Sequence, residues 1–335
     1  MNVAINGFGR IGRGAFKAGF TRAGFKVVAI NDLASTDNLA YLLTHDSVYG
    51  RWDHEVKPLK DAILVDGKKI PVFAQKDPLQ LPWKQLKIDV VIESTGRFSD
   101  KDALEQHLTA GAKKVVLSAP GKNGVPTYVC GVNDDEYYGE RAINNASCTT
   151  NSVAPVTKVI HESFHIMKAI MSTVHGYTAE QSLVDGPMPP LHKDLRRGRA
   201  AALNIVPTST GAAIAVTETL PELTGMFDGI ALRVPVPAGS LSDITFVVKK
   251  KTSVEEVNKA LIAAAKTKAL KGILEVSDEP LVSTDILGTT ASCIVDLSMT
   301  KVVGGDLVKV LAWYDNEAGY SQRLVDMVLK VGGKK

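Results

Sequence analysis

Cysteine is scarce in this sequence, which has three in 335 residues: Cys130, Cys148 and Cys293. Their odd number, their wide spacing and the lack of a Cys-x-x-Cys pair support neither a disulfide framework nor a zinc site. His161 and His165 are four residues apart, but no third ligand accompanies them, so we expect no metal. We therefore expect reduced thiols and a cytoplasmic location.

Long apolar runs are missing as well. No segment approaches the roughly 18 apolar residues of a membrane-spanning helix, and Arg10 and Arg13 interrupt the start of the chain. The sequence therefore predicts a soluble chain without a targeting segment and without a membrane partner.

An excess of charge is the third absence. Lys and Arg number 39 against 36 Asp and Glu, which leaves a formal net charge of +3. This charge is too small to indicate a nucleic-acid partner, so any anion binding must be local. Hydrophobic residues at 45% and charged residues at 22% are typical of a folded globular protein. At about 150 residues per domain, the length predicts two domains.

Short apolar runs alternate with longer amphipathic ones up to about residue 145. The strand candidates are short, rich in β-branched residues and bounded by polar residues or glycine: 3–5, 27–30, 90–92 and 115–117. Residues 10–23 predict a helix that ends near Gly24. This order predicts βαβ units and a doubly wound parallel sheet.

Longer strands are expected after about residue 169, over 169–174, 230–234, 244–248, 292–297 and 307–313. One strong helix is predicted over 254–269, and it begins with a capping box from Ser253 to Glu256. The pattern predicts an α+β domain with a mainly antiparallel sheet. A final amphipathic helix is expected over 317–331.

A glycine-rich turn is the sharpest local motif. Gly7, Gly9 and Gly12 follow the first strand and open the first helix, in the Gly-x-Gly-x-x-Gly spacing of a dinucleotide fingerprint. Such a helix start offers unpaired N–H groups to a pyrophosphate. Asp32 ends the next strand, where a carboxylate accepts from a ribose 2′-OH and repels a 2′-phosphate. The motif predicts a Rossmann domain that binds NAD in preference to NADP; a glycine-rich turn without a ligand is the alternative.

Cys148 is the candidate nucleophile. It directly precedes the amphipathic stretch 153–160, so we expect it at a helix N-terminus, where free amides and the helix dipole lower a thiol pKa. His175, at the end of the strand 169–174, is the candidate base beside it. An inert buried cysteine and a structural histidine are the alternative. Cys130 and Cys293 lie in strand-like apolar runs and are expected in the core.

Two further polar clusters suit anions. Residues 208–211, Thr-Ser-Thr-Gly, offer hydroxyls and amides at an expected helix start, and Arg233 stands at the exit of an apolar strand, where a cation needs a partner. The basic turn 196–199, Arg-Arg-Gly-Arg, is a third candidate, with a solvated charge run as the alternative.

Taken together, these motifs closely resemble the phosphorylating glyceraldehyde-3-phosphate dehydrogenase family. The resemblance extends over essentially the whole chain in family order. Its matching segments are 5–13, 31–32, 94–97, 118–120, 146–151, His175 with Thr178 and Gln181, 194–202, 207–213, 233–235 and 313–319.

The resemblance implies a two-domain enzyme. Residues 1–147 would form the NAD-binding Rossmann domain, joined by the C-terminal helix 316–335, and residues 148–315 the catalytic domain. The enzyme would oxidise D-glyceraldehyde 3-phosphate through a cysteine thiohemiacetal and thioester and join the product to inorganic phosphate. The reaction would belong to glycolysis or gluconeogenesis. Family members are cytoplasmic homotetramers, so the same is expected here.

The resemblance also implies roles for individual residues. Cys148 would be the nucleophile and His175 its base. Thr178 and Arg233, with Arg197 nearby, would hold the C3 phosphate of the substrate. The inorganic phosphate would be held by Ser147, Thr149, Thr210 and Gly211. The cofactor-binding residues would be Gly7, Gly9, Arg10, Ile11, Gly12, Asp32, Thr95, Ser118 and Asn316, with Asn316 at the nicotinamide carboxamide.

Three positions depart from the family pattern. Ile214 stands where the family commonly has lysine, which removes a cation from the phosphate region. Ser152 replaces a second cysteine, which changes susceptibility to oxidation more than catalysis. The loop at 187–191 is about three residues longer than usual, and in the family this loop reaches the cofactor site of a neighbouring subunit.

Other functions stay open at this point. A related erythrose-4-phosphate dehydrogenase usually lacks the His-x-Tyr-Thr and Thr-Gly patterns found here. A semialdehyde dehydrogenase would not need two phosphate sites. A non-catalytic NAD-binding regulator, or an RNA-associated protein, would not need Cys148, His175 and Arg233 together.

Overall fold

A computed structural model describes residues 1–188 and 194–333 of the chain. The expected longer loop at 187–191 lies outside these residues from position 189 onward. The chain divides into two compact units. The first comprises Met1–Tyr128, Glu136–Ala146 and Ser321–Lys335, and the second comprises Val129–Asp135 and Ser147–Tyr320. The sequence-based domain limits, 1–147 with 316–335 and 148–315, stay a prediction, and they differ from these units at 129–135, 147 and 316–320.

The first unit is built on a mostly parallel sheet with helices. Its elements, in chain order, are β1 (Asn2–Asn6), α1 (Arg10–Gly19), β2 (Lys26–Asn31), α2 (Thr36–Thr44), β3 (His45–Asp46), β4 (Gly50–Arg51), β5 (Val56–Leu59), β6 (Ala62–Val65), β7 (Lys68–Phe73), β8 (Val90–Glu93), α3 (Lys101–Thr109), β9 (Lys114–Leu117) and β10 (Ala142–Asn144). The main sheet has the order β10-β9-β8-β1-β2-β7-β6-β5. The pairings from β10 to β7 are parallel. The predicted α/β Rossmann class is confirmed.

The four strands expected in this half all form. Most of their apolar side chains are almost fully buried, as in Val3, Ile5, Val91 and Val116, because the parallel sheet is covered on both faces. Helix α1 is shorter than predicted and ends at Gly19. The ring of Phe25 packs where a side chain at position 19 would stand, and the chain turns again at Gly24, whose φ is +82°.

A β-hairpin at the sheet edge was not predicted. Strands β6 and β7 are antiparallel and are joined by Asp66 and Gly67, which have φ of +46° and +75°. Asp-Gly with two positive φ angles is the signature of a tight hairpin turn. The sequence carried this signal, although the apolar runs around it are too short to stand out.

The second unit contains a mainly antiparallel sheet. Its elements are α4 (Cys148–Phe164), β11 (Ile166–Gly176), β12 (Val206–Ser209), α5 (Ala212–Thr219), β13 (Phe227–Val234), β14 (Ser240–Val248), α6 (Val254–Ala265), β15 (Leu274–Ser277), β16 (Cys293–Val303) and β17 (Leu307–Tyr314), followed by α7 (Ala318–Gly332), which continues into the first unit. The sheet order is β12-β13-β11-β14-β17-β16-β15. Four of its six pairings are antiparallel. The predicted fold class of this half is confirmed.

Two local expectations in this unit need correction. Helix α6 has the predicted capping box at Ser253 but ends at Ala265, because the Thr267 hydroxyl donates to the carbonyl of Ala264 and closes the last turn. Cys130 lies in a turn before Gly131, whose φ is +78°, rather than in a strand. Cys293 begins β16 and is fully buried, as expected.

In the part of the chain that the structure describes, no group of three His, Cys, Asp or Glu side chains could hold a metal ion. None of the described helices is both long and apolar enough to cross a membrane.

Candidate active site

The start of α4 presents Cys148. Ser147 is the N-cap, with extended backbone, and its Oγ accepts the amide of Thr150 at 3.0 Å. This cap ends the preceding extended segment and starts the helix at Cys148. The predicted position of Cys148 at a helix N-terminus is therefore confirmed.

Cys148 faces His175 from β11. The Sγ atom lies 3.5 Å from Nε2 of His175, while Nδ1 lies 2.6 Å from the carbonyl oxygen of Gly176. Arg233 Nη1 also lies 3.0 Å from Nδ1, but its two hydrogens are donated to Thr178 Oγ1 and to the Gly176 carbonyl. A carbonyl only accepts, so the tautomer that fits these contacts has the proton on Nδ1 and presents Nε2 to the thiol as an acceptor. The imidazole is therefore oriented as a base toward Cys148.

Burial controls the protonation of this pair. Burial raises the pKa of the Cys148 thiol, and the Arg233 charge and hydrogen bonds from Thr149 offset it only in part. Burial and Arg233 lower the pKa of His175 to about 3. The expected lowering of the Cys148 pKa is thus wrong for this geometry, because desolvation outweighs the helix N-terminus. The proton rests on sulfur, and Nε2 is free to accept it.

Arg233 is brought beside His175 by strand register. The two residues are direct partners in the parallel pairing of β13 with β11. The Arg233 guanidinium donates to Thr178 Oγ1 at 2.9 Å and to the Gly176 carbonyl at 3.2 Å. Its Nε is buried and has no hydrogen-bond partner in the described part of the chain. A buried donor of this kind is what an anionic ligand would satisfy.

Glu180 completes this cluster, and sequence reasoning missed it. Its Oε1 lies 3.3 Å from Arg197 Nη1 and 3.8 Å from Arg233 Nη2. Burial raises the pKa of Glu180, but a hydrogen bond from Thr178 and the charge of Arg233 outweigh it, so that the pKa is lowered. A carboxylate therefore stands between two arginines. The only sequence signal was an acid two residues after Thr178.

The basic turn divides into one buried and two exposed arginines. Arg197 Nε donates to Thr208 Oγ1 at 3.0 Å, and its side chain is 16% exposed. Arg196 and Arg199 are more than 60% exposed and pair with Asp194 and Asp185. Only Arg197 joins the cluster, because the β12 residue Thr208 holds it there.

The second anion cluster lies where β12 meets α5. Gly211 is the N-cap of α5 without a side-chain cap bond, and space is open beside it. Thr210 Oγ1 accepts the amide of Ala212 at 3.1 Å. Thr149 is buried, and its hydroxyl lies 2.9 Å from Tyr314 Oη, so its side chain is already engaged. Ile214 is 64% exposed on α5.

Ser240 orients Asn316, and it is a second residue whose role the sequence did not reveal. The Oδ1 of Asn316 accepts the amide of Gly239 at 3.1 Å and the hydroxyl of Ser240 at 2.9 Å. Ser240 Oγ in turn accepts the amide of Gly176. This fixes the carboxamide, so that its Nδ2 can serve as a donor.

In the first unit, the glycine turn has the geometry of a dinucleotide loop. Gly7 has φ of +91°, and a Cβ there would meet Thr95 and Ser94 backbone atoms within 2.7 Å. A Cβ at Gly12 would lie 2.1 Å from the Gly7 carbonyl oxygen. At Gly9, by contrast, a Cβ would meet nothing within 4 Å. Gly7 and Gly12 serve close packing, and Gly9 faces open space at the start of α1.

A cavity of about 250 Å³ lies beside this loop. Its lining includes Gly7, Gly9, Asp32 and Thr95 among the predicted cofactor residues. Asp32 accepts the amides of Phe8 at 2.7 Å and Ala34 at 2.9 Å, so its carboxylate is held at the pocket.

Three other predicted cofactor residues lie outside the lining of this cavity. Arg10 pairs with Asp46 at 2.8 Å, Ile11 is half-buried on α1, and Ser118 follows β9. None of the three lines this cavity.

This fold and these side chains define a class, the dinucleotide-dependent dehydrogenases that act through a cysteine. Residues 147–316 match the family model described as glyceraldehyde 3-phosphate dehydrogenase, C-terminal domain. Residues 1–101 match the NAD binding domain of the same family. The chain belongs to the glyceraldehyde 3-phosphate dehydrogenase family.

Individual relatives are similar over essentially the whole of this chain. The chain is 51% identical to the glyceraldehyde-3-phosphate dehydrogenase of Geobacillus stearothermophilus, over 100% of this chain and 99% of the relative. It is 51% identical to that of Borreliella burgdorferi, over 99% of each chain. It is 53% identical to a chloroplastic glyceraldehyde-3-phosphate dehydrogenase of Arabidopsis thaliana, over 98% of this chain and 82% of the relative.

Proposed function

We propose that the chain oxidises D-glyceraldehyde 3-phosphate with NAD and joins the product to inorganic phosphate, giving 1,3-bisphosphoglycerate. One observation carries the proposal: Cys148 Sγ stands 3.5 Å from the acceptor Nε2 of His175, beside an arginine with a buried unpaired donor. Family membership supports the same reaction.

The first step is attack of Cys148 on the aldehyde. His175 Nε2 accepts the thiol proton as the carbon–sulfur bond forms. The backbone amide of Cys148 donates to the alkoxide as it forms, and His175 returns the proton to this oxygen, which gives the thiohemiacetal hydroxyl and leaves Nε2 unprotonated. Thr178, Arg233 and Arg197 hold the C3 phosphate and so fix the aldehyde near sulfur.

The second step is oxidation to a thioester. NAD, when bound, accepts the hydride. His175 removes the hydroxyl proton as the carbonyl forms, and Asn316 orients the nicotinamide carboxamide through its free donor.

The third step is release of the acyl group. Inorganic phosphate attacks the thioester carbon, and sulfur leaves as the thiolate. Ser147, Thr149, Thr210 and Gly211 hold this phosphate, Thr149 by its backbone amide because its hydroxyl is engaged by Tyr314. The two anion clusters therefore have separate tasks.

NAD fits the residues of the first unit. Gly9 leaves room for the pyrophosphate at the start of α1, and Gly7, Gly12, Arg10 and Ile11 complete that turn. Asp32 accepts from the adenosine ribose and repels a 2′-phosphate, which favours NAD over NADP. Thr95 and Ser118 follow neighbouring parallel strands at the same sheet edge.

The decisive experiment follows NADH formation from D-glyceraldehyde 3-phosphate with and without inorganic phosphate. We expect phosphate-dependent turnover that falls by about 10³-fold or more in Cys148→Ser, because serine is a far weaker nucleophile. Cys130→Ser, at another cysteine of the same unit, is the matched control and should stay active. Erythrose 4-phosphate and NADP serve as alternative substrates.

Three results would contradict the proposal: turnover without phosphate, turnover that survives Cys148→Ser, or faster turnover of erythrose 4-phosphate. NAD binding without any turnover would favour a regulatory protein instead.

The chain further forms a homotetramer in the cytoplasm. Support comes from three large apolar side chains on the sheet of the second unit, Ile170, Ile230 and Leu307, which are 40–62% exposed. The three cysteines, all among the described residues, form no disulfide, which supports a reducing compartment. Light scattering during gel filtration measures the mass, and we expect Ile230→Asp to reduce it. A wild-type mass of one chain would contradict the tetramer.

A further inference from the structure

A fully buried carboxylate, Glu93, lies behind the cofactor cavity at the end of β8. Its Oε1 accepts the Thr95 amide at 2.8 Å and the Thr95 hydroxyl at 2.5 Å. Its Oε2 accepts Asn6 Nδ2 at 2.5 Å and lies 3.0 Å from Nε2 of His107, which is also fully buried. Four hydrogen-bond contacts on one buried carboxylate fix its orientation.

The proton positions on the His107 side follow from Trp83. The indole Nε1 of Trp83 lies 3.0 Å from Nδ1 of His107, and an indole nitrogen can only donate. Nδ1 of His107 is therefore the acceptor, and Nε2 carries the hydrogen that is donated to Glu93. Trp83 thus selects the tautomer of His107 that Glu93 requires.

The other branch is fixed by the backbone of Gln75. Its amide donates to Asn31 Oδ1 at 2.9 Å, so the Asn31 Nδ2 donates to the Gln75 carbonyl at 2.9 Å and to Asn6 Oδ1 at 2.6 Å. Asn6 must then present its Nδ2 to Glu93. Asn6 and His107 therefore both donate to the same oxygen of Glu93, Oε2. Every hydrogen bond in this network of side chains then has a defined donor and a defined acceptor.

This set of side chains connects the helix α3 to the cofactor cavity. Asn6, Asn31, Gln75 and Thr95 line the cavity, whereas Glu93 and the two residues behind it do not. Neither Trp83 nor His107 can touch a ligand there. Any effect of theirs on the ligand must pass through the orientation of Glu93.

We propose that His107 is a positioning residue for the cofactor: by donating to Glu93, it holds Thr95 and Asn6 in the orientation that binds NAD. The inference rests on the proposed NAD site, and it goes beyond it because His107 and Trp83 have no place in that site. The effect falls on NAD affinity and leaves the step at Cys148 unchanged.

The test measures NAD affinity by calorimetry, and kcat at saturating NAD, in matched variants. His107→Phe keeps the ring volume but removes the donor, and we expect the Kd for NAD to rise about tenfold with kcat within about twofold. His107→Gln places an amide donor near the position of Nε2 and should bring Kd to within about threefold of wild type. Leu104→Ala, also fully buried on α3, is the control for general loosening and should leave Kd unchanged.

A double-mutant cycle asks whether His107 acts through Thr95. If it does, His107→Phe and Thr95→Ala raise the Kd less together than the product of their separate effects. Glu93→Gln is a second way to break the arrangement, should His107→Phe fail to fold, and it should also raise the Kd.

The outcomes separate this inference from the proposed function. A wild type that does not bind NAD contradicts the proposed function itself. A wild type that binds NAD, with His107→Phe or Glu93→Gln binding equally well, overturns only the inference. So does a Leu104→Ala variant that weakens NAD binding as much as His107→Phe.

Discussion

Single residues at this site act through the charges that surround them. Glu180 lies between Arg197 and Arg233, the two cations proposed for the substrate phosphate. A carboxylate and a phosphate compete for the same guanidinium donors, so binding of the substrate must move Glu180 aside. We therefore expect Glu180 to weaken binding of a phosphorylated substrate while it keeps the arginines paired.

Removing that charge should tighten substrate binding. We expect Glu180→Gln to lower KM for D-glyceraldehyde 3-phosphate by about fivefold, a size typical of a partly exposed ion pair. Unphosphorylated glyceraldehyde should show no change. Asp185→Asn removes an acid that pairs with the exposed Arg199, so it is a control of equal charge. A higher KM in Glu180→Gln would show that the carboxylate supports the arginines instead.

At the scale of elements, one glycine of the β1–α1 turn is needed for folding and another for binding of the cofactor. Gly12 is needed because a Cβ at this position would lie 2.1 Å from the Gly7 carbonyl oxygen, whereas Gly9 faces open space with an ordinary φ of −73°. Backbone contact makes a methyl group at position 12 disruptive. A methyl group at position 9 meets no protein atom and enters the space assigned to pyrophosphate.

Alanine at these two positions should therefore have opposite effects. We expect Gly12→Ala to lower the free energy of unfolding by roughly 3 kcal/mol or more. Gly9→Ala should change that free energy by less than about 0.5 kcal/mol but raise the Kd for NAD about tenfold. Denaturant titration and calorimetry measure the two quantities. A Gly9→Ala variant that binds NAD normally would contradict the assignment of this turn.

The elements themselves were largely predictable, and their ends were not. The strands around Val3 and Val91 are short, β-branched and buried, which periodicity detects. At the end of α1, Gly19 leaves room for the ring of Phe25, and that contact is not visible in a local pattern. In the site, Cys148 and His175 were predictable from their motifs, whereas Glu180 was not.

For the whole molecule, stability should depend on His175. Its pKa is about 3 when folded, against 6.5 for an ordinary histidine. Between about pH 6.5 and pH 3, His175 is therefore protonated in the unfolded chain and neutral in the folded chain. The folded state is thus favoured above pH 6.5 and loses this contribution as pH falls toward 3. The loss is about 1.4 kcal/mol per pH unit in this window.

Comparison with His175→Asn isolates this effect. At a fixed protein concentration, the free energy of unfolding of the wild type should fall more steeply from pH 6 to pH 4 than that of the variant. Protonation of carboxylates changes the free energy of unfolding equally in both proteins, so it cancels in the difference between them. Parallel curves would mean that the folded protein protonates His175 as readily as the unfolded chain does.

The sequence by itself determined the elements and their motifs: the apolar runs of the strands, the glycines of the first turn, the Ser147 cap and the cysteine that follows it. These depend on neighbours in the chain, which local sterics and hydrogen bonding govern. Only the tertiary structure decided the protonation of Cys148 and His175. Desolvation and the charge of Arg233, 58 residues after His175, set those pKa values. The same holds for Glu93 and His107, because strands and a helix distant in sequence supply their partners.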